Sequence, residues 1–137
     1  MRLFVDSSAL TKRYVRETGT DVVIEVLSKA DAIYVSQICL PEIFSALNRN
    51  RRNHLITQTQ YIQLKENVLR DFQYLNICQM TPHVISKTVS LLENHSLRTM
   101  DAIHLASALE IKIDIFVSAD IRQITAAKAS KIKTLRI

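Results

Sequence analysis

Arg2-Leu3-Phe4-Val5-Asp6-Ser7-Ser8-Ala9-Leu10 is the stretch from which the rest of the chain is read. Leu3 to Val5 is a short apolar run that stops at a carboxylate, Asp6, and two hydroxyl residues precede the next helix-forming positions. That pattern predicts a buried strand ending in an acid, then a short helix to about Arg13 capped by Ser7 or Ser8. An ionised carboxylate beside a core is costly unless something cationic sits against it. The simpler reading makes Asp6 no more than an N-cap, and the placement of the other acids decides between the two.

Beyond a turn at Thr18-Gly19-Thr20, Val22, Val23, Val26 and Leu27 mark one face of a second helix, and Ala32-Ile33-Tyr34-Val35-Ser36 predicts the next strand. Leu40, Ile43, Phe44 and Leu47 recur at helical spacing, with Pro41 suited to a first turn, so Glu42 stands at the start of that helix. The helix runs out in the polar segment Asn48 to His54. Thr57 opens a long helix with Tyr61, Leu64, Val68 and Phe72 inward, Leu75 to Cys78 forms a short strand, and Thr81-Pro82 starts a helix carrying Ile85, Val89 and Leu92. Thr99 is the expected cap of an apolar helix in which Ala102, Leu105, Ala106 and Leu109 share a face and Asp101 lies in the first turn. Ile115 to Ser118 predicts a buried strand followed at once by Asp120, a helix from about Ile121, and a last strand around Lys133 to Leu135. Strands alternating with helices predict an α/β fold, a parallel twisted sheet of about four to five strands flanked by helices on both faces.

The 137 residues are 47% hydrophobic and 23% charged, without a low-complexity tract or linker, which predicts one globular domain over 1–137. Lys plus Arg total 18 against 13 Asp plus Glu, a formal charge of +5. A basic surface around buried acids attracts a polyanion while leaving the acids free to hold metal. The lone glycine, Gly19, excludes Gly-rich phosphate cradles and the G-x-S-x-G nucleophile elbow. Cys39 and Cys78 have no CxxC spacing and are expected as free thiols of a reducing compartment. Too few apolar residues precede Asp6 for a signal-peptide core, and no later run spans a bilayer, so the expected location is cytoplasmic with no membrane partner.

In a parallel sheet the C-terminal strand ends and the N-termini of the following helices lie at one edge, where ligands bind. Asp6 and Asp120 stand just past strand ends, and Glu42 stands in the first turn after a strand. The helix of Asp101 runs opposite to the strand it feeds and so starts where that strand finishes. All four carboxylates therefore fall at one rim. Like charges gathered there require protonation or divalent cations, and an all-oxygen donor set suits Mg²⁺ or Mn²⁺ over Zn²⁺. A metal so held can orient and activate a water against a phosphodiester, which points to a nuclease.

The segments Phe4-Val5-Asp6-Ser7-Ser8-Ala9-Leu10 with Lys12 and Tyr14, Pro41-Glu42-Ile43-Phe44-Ser45-Ala46-Leu47, Leu97-Arg98 through Asp101-Ala102-Ile103-His104-Leu105-Ala106, and Phe116-Val117-Ser118-Ala119-Asp120 resemble, in order and spacing, the PIN domain. Within that family they are similar to the VapC-type toxins of bacterial and archaeal toxin–antitoxin pairs. The resemblance implies Mg²⁺- or Mn²⁺-dependent endoribonuclease activity, with metal carried mainly by Asp6 and Asp101 and supported by Glu42 and Asp120. It also implies a homodimer and inhibition by a small antitoxin whose tail enters the acidic groove. One departure is Ala126 to Lys131, which lacks the glycine often found before the last strand.

Ser7, Ser8 and Ser118 adjoin the acids and are candidates to touch a metal-bound water or a phosphate oxygen, with helix capping the simpler role. His104, one turn after Asp101, is expected as a satisfied core histidine rather than a rim residue. Lys12 and Arg13 are the better candidates for RNA phosphates, ahead of Arg49, Arg51 and Arg52, and Arg98 is a candidate ion-pair partner for an acid. Two other functions fit the same acids. One is an idle acidic groove that only binds an antitoxin-like peptide or RNA. The other is a phosphatase with Asp6 as nucleophile, which Asp6-Ser7-Ser8 disfavours because haloacid dehalogenase-type chemistry needs Asp-x-Asp.

Overall fold

The computed structural model describes residues Met1 to Ile137 and contains one five-stranded sheet, all parallel, in the order β3-β2-β1-β4-β5. The strands are β1 (Arg2–Val5), β2 (Ala32–Ser36), β3 (Asn76–Cys78), β4 (Ile115–Ser118) and β5 (Thr134–Arg136). The helices are α1 (Ser7–Leu10), continued by a 3₁₀ turn over Thr11–Arg13, α2 (Thr20–Ser28), α3 (Cys39–Arg52), α4 (Gln58–Phe72), α5 (Pro82–Asn94), α6 (Thr99–Leu109) and α7 (Ile121–Ala129). The expected α/β class and parallel sheet are therefore present.

Because successive strand residues point to opposite faces, β1 feeds two cores at once. Leu3 and Val5 join Val35, Val117 and the inner residues of α1, α3 and α4, among them Leu10, Ile43, Leu47 and Val68. Phe4 and Phe116 point the other way, into Val84, Leu91, Leu105, Ala106, Ile124 and Ala127 of α5, α6 and α7. β1 pairs with β4 in the register Phe4 to Phe116, so the two rings stack with centroids 5.7 Å apart. A sheet covered on both faces leaves only its strand ends for chemistry.

Local signals set most helix starts. Thr57 and Gln60 form a reciprocal capping box on α4, and Thr81 caps α5 by accepting from Val84 N. Two expected caps are wrong. α1 is capped by Asp6 itself, not by Ser7 or Ser8, and Thr99 is the first residue of α6 behind an Arg98 that makes no side-chain cap bond. The polar segment after Asn48 stays helical to Arg52, held by backbone bonds that ignore side-chain polarity.

The apolar stripe legible on α5 is not the one that packs inward. Ile85, Val89 and Leu92 are 44%, 51% and 36% exposed, and Val84, Thr88 and Leu91 pack inward instead. Both sets repeat with the helical period, and only the path of the chain out of β3 decides which one meets the sheet. α6 is buried along the whole run Ala102–Ala108 rather than on one face, since it lies between α5 and the sheet with α7 alongside.

The missing glycine before β5 has a physical answer. Lys131 takes a left-handed φ of 62°, with Lys131 N donating to Lys128 O and Ile132 N to Ala127 O. Those two bonds are a Schellman motif with lysine at the position glycine usually fills. His54, at φ 57°, closes α3 in the same way through Arg51 O and Asn50 O. A side chain in this region costs about 1–2 kcal/mol. Lys131→Gly is expected to stabilise the fold by up to about 1 kcal/mol, read as a rise in Tm of roughly 2–4 °C; an unchanged or lower Tm would refute the strain.

Candidate active site

β1 delivers Asp6 to the rim with no exposed surface, and the carboxylate is surrounded by donors. Its Oδ1 accepts from Ala9 N at 2.9 Å, the cap bond of α1. Ser8 Oγ lies 2.8 Å from both carboxylate oxygens, Ser118 Oγ donates to Oδ2 at 2.7 Å, and Gln123 Nε2 donates to Oδ2 at 2.6 Å. Asp6 is thus both the helix cap and a buried acid tied to β4 and α7. Burial still pushes its pKa up, against the opposing pull of His104 and of the hydrogen bonds from Ser118, Ala9 and Ser8.

Ser118 passes the same order on to the next acid. Its Oγ accepts from Asp120 N at 2.9 Å, and Asp120 Oδ1 caps α7 by accepting from Arg122 N at 2.7 Å and Gln123 N at 3.1 Å. Gln123, one turn into α7, extends its amide back between two acids and donates to Asp101 Oδ1 at 3.2 Å as well as to Asp6. Asp101 comes from the first turn of α6. Its pKa is raised, first by burial and then by the negative charges of Asp120, Asp6 and Glu42, with His104 opposing.

Glu42, in the first turn of α3, completes the rim through a contact absent from the sequence reading. Its Oε1 lies 2.5 Å from Nε2 of His104, which donates to it, and Ser7 Oγ lies 3.3 Å from the same nitrogen. His104 has no exposed surface, as expected of a core histidine, yet its Nδ1 has no partner, and its other nitrogen serves the acidic edge. Cys39, the first residue of α3, has its thiol pKa pushed up by burial and by Asp6 and Glu42, which keeps it an unreactive thiol.

The structure thus brings Asp6, Glu42, Asp101 and Asp120 to one edge, although more loosely than expected. As they lie, no three or more His, Cys, Asp or Glu side chains are grouped closely enough to hold a metal ion. Hydrogen-bond donors from Ser8, Ser118, Gln123 and His104 make the proximity of the acids tolerable. Gln123 is the residue that sequence reasoning missed. Its signal was a polar side chain among the inward positions Ile124, Ala126 and Ala127 of α7.

The basic candidates fare differently. Lys12 is engaged by Glu17 Oε1 at 3.2 Å and Thr18 O at 2.9 Å, and Arg13 by Asp71 Oδ2 at 2.8 Å, so neither is directed at the acids. The partners of Lys12 lie five and six residues along the chain, whereas that of Arg13 comes from α4. Arg98 forms no ion pair with the acids. Arg51 bonds Asn48 and Gln58 and lies over the Tyr61 ring, 4.5 Å from its centroid. Arg49 and Arg52 sit at the far end of α3, roughly 10–15 Å along the helix from Glu42.

A parallel sheet with acids gathered at its C-terminal strand ends defines the α/β class of protein, in which that edge is where ligands generally bind. The chain belongs to the PIN-domain family, whose family model matches residues 3–129. Ribonuclease VapC45 of Mycobacterium tuberculosis (strain CDC 1551 / Oshkosh) is 29% identical over 109 residues, which is 80% of this chain and 76% of that protein. Ribonuclease VapC49 of Mycobacterium tuberculosis (strain ATCC 25618 / H37Rv) matches to the same extent, 29% over 109 residues. Among solved structures, the Mycobacterium tuberculosis VapC20 sarcin-ricin loop cleaving toxin superimposes with a TM-score of 0.73 at 16% identity, covering 98% of this chain and 99% of that one. VapBC2 from Rickettsia felis, bound to a promoter DNA fragment, superimposes with a TM-score of 0.71 at 12% identity, covering 100% and 99%. At these identities the two structures establish a shared fold.

Proposed function

We propose that this chain is a metal-dependent endoribonuclease that hydrolyses RNA phosphodiester bonds, acting in the cytoplasm as the toxin of a toxin–antitoxin pair. The observation that carries the reading is the pair Asp6 and Asp101, drawn from β1 and α6 onto one amide, with Asp120 and Glu42 on the same edge. The donor set is all oxygen, and the Asp101 pKa is raised first by burial and then by the charges of three neighbouring carboxylates, so the chemistry of the residues suits a hard divalent cation such as Mg²⁺ or Mn²⁺. Asp6, Asp101, Asp120 and Glu42 would hold it. When bound, the cation supplies Lewis-acid activation of water and screening of phosphate charge.

The chain's own residues do the positioning. Ser8 and Ser118 fix the plane of the Asp6 carboxylate, the α7 backbone fixes Asp120, and His104 fixes Glu42. Ser7 is assigned to a phosphate oxygen in this reading, which its half-buried hydroxyl 3.3 Å from His104 Nε2 supports. The net charge of +5 draws the RNA backbone to the surface.

The partners follow from the same reading. The relatives are named ribonucleases, and a further structural neighbour is a toxin–antitoxin complex from Klebsiella pneumoniae, which supports an antitoxin partner here. The outward stripe Ile85, Val89 and Leu92 on α5 supports a homodimer. No helix is long and apolar enough to cross a membrane.

The test incubates purified protein and mixed RNA with Mg²⁺ or Mn²⁺, beside the same mixture in excess EDTA. Cleavage is expected with either metal and a loss of about a hundredfold or more with EDTA. Cutting indifferent to EDTA, or none with any divalent metal, would replace the nuclease by an idle groove. A trapped phosphoryl group on Asp6 would instead indicate a phosphatase.

A further inference from the structure

Gln123 is 1% exposed, and its two amide atoms have unequal surroundings. Nε2 joins Asp6 and Asp101, whereas Oε1 is buried without any hydrogen-bond partner. A buried carbonyl lacking a donor is a standing cost in a folded protein. Here it lies on a side chain that already reaches between two carboxylates of the acidic edge. The last torsion of a glutamine has broad, roughly two-fold wells, so a half-turn exchanges oxygen and nitrogen within nearly the same volume. That turn gives up no bond of Oε1 but both bonds of Nε2, so it requires a cation that takes over the two carboxylates.

We propose that Gln123 is a positioning residue with two settings: its N–H₂ clamps Asp6 to Asp101, and its carbonyl oxygen turns onto a divalent cation taken up by those carboxylates. The inference rests on the metal-dependent reading above and adds a neutral ligand to it. A cation beside Asp6 and Asp101 meets the positive end of the amide dipole in the first setting and the negative end in the second. A carbonyl oxygen is the hard, uncharged donor that Mg²⁺ and Mn²⁺ accept. It adds a ligand without adding a fifth negative charge to an edge where Asp101 already feels three. The N–H₂ clamp keeps the two acids together when no cation is there to do so.

The test measures Mn²⁺ binding by calorimetry to chelator-stripped wild-type protein, Gln123→Met and Gln123→Glu. Thermal melts in EDTA check that each variant folds. Methionine keeps the length and removes both amide atoms; glutamate keeps an oxygen and adds charge. The expected order of affinity is Glu, then wild type, then Met, with Met about 10–100-fold weaker than wild type. Met binding as tightly as wild type, or more tightly, overturns the proposal, because an amide that only clamps competes with the ion and its removal helps binding.

A second measurement uses the wild-type chain alone. The ¹⁵N-labelled side-chain N–H₂ of Gln123, assigned through its loss in Gln123→Glu or by selective labelling, is followed while Mg²⁺ is added. Its signals are expected to move as the carboxylate partners are exchanged. Signals unmoved at saturating Mg²⁺ overturn the proposal even if a variant fails to fold. Wild type binding no Mn²⁺ at all removes the metal reading itself. Wild type binding normally, with Met unweakened, removes only the role of Gln123.

Discussion

Replacing Asp101 by asparagine is expected to lower RNA cleavage by roughly a thousandfold, about 4 kcal/mol of transition-state stabilisation, while raising the stability of the fold. The two effects have one cause. Asp101 is a carboxylate whose pKa is raised by burial and by the charges of Asp120, Asp6 and Glu42. Asparagine keeps an oxygen for the Gln123 amide, which lies 3.2 Å from Oδ1, and drops the charge. The gain is modest because the residue is partly exposed, about 0.5–1 kcal/mol, or a Tm higher by roughly 2–3 °C in EDTA.

The gain has a definite pH dependence. An acid whose folded pKa is raised destabilises the fold fully above that pKa and not at all below the ordinary carboxylate value. The stability difference between Asp101→Asn and wild type is therefore expected at neutral pH and is expected to vanish below about pH 4. Cleavage by the two proteins at equal rates would mean a contaminating nuclease or a different site. A variant less stable than wild type at neutral pH would mean that the acid edge carries no repulsion.

Phe116→Ala is expected to cost about 3–5 kcal/mol, a large part of the roughly 5–15 kcal/mol by which such a domain is stable. Phe116 has no exposed surface and stacks on Phe4 with a centroid separation of 5.7 Å and an interplanar angle of 12°. The cavity would open under α5, α6 and α7, where neighbours anchored on a covered sheet cannot collapse into it. The midpoint of urea unfolding should fall steeply, and cleavage at 37 °C should fall with it. Ser118, which holds Asp6 and Asp120, sits two residues further along the same strand. Ile115→Val, on a partly buried neighbour, is expected to cost only about 0.5–1.5 kcal/mol. Equal effects at the two positions would mean that the stacked pair is not the keystone of this layer.

The central strands were legible because they are short apolar runs rich in β-branched and aromatic residues. Ala32–Ser36 and Ile115–Ser118 lie where the pattern put them. Periodicity could not choose between Ile85, Val89, Leu92 and Val84, Thr88, Leu91 on α5, because both stripes satisfy it. Closeness to the acids along the chain made Lys12 and Arg13 the better candidates for RNA phosphates, and the fold pairs them with Glu17 and Asp71. Asp71 is distant in sequence and becomes a neighbour only once α4 has packed.

By itself the sequence determined the alternation of strands and helices, and through it the shared edge for Asp6, Glu42, Asp101 and Asp120. The direction of a parallel strand and of the helix that returns beside it follows from chain order alone. Tertiary structure decided what those acids touch: Ser8 and Ser118 on Asp6, His104 on Glu42, and Gln123 between Asp6 and Asp101. Such contacts join residues up to 117 positions apart and depend on side-chain directions fixed only when both faces of the sheet are covered.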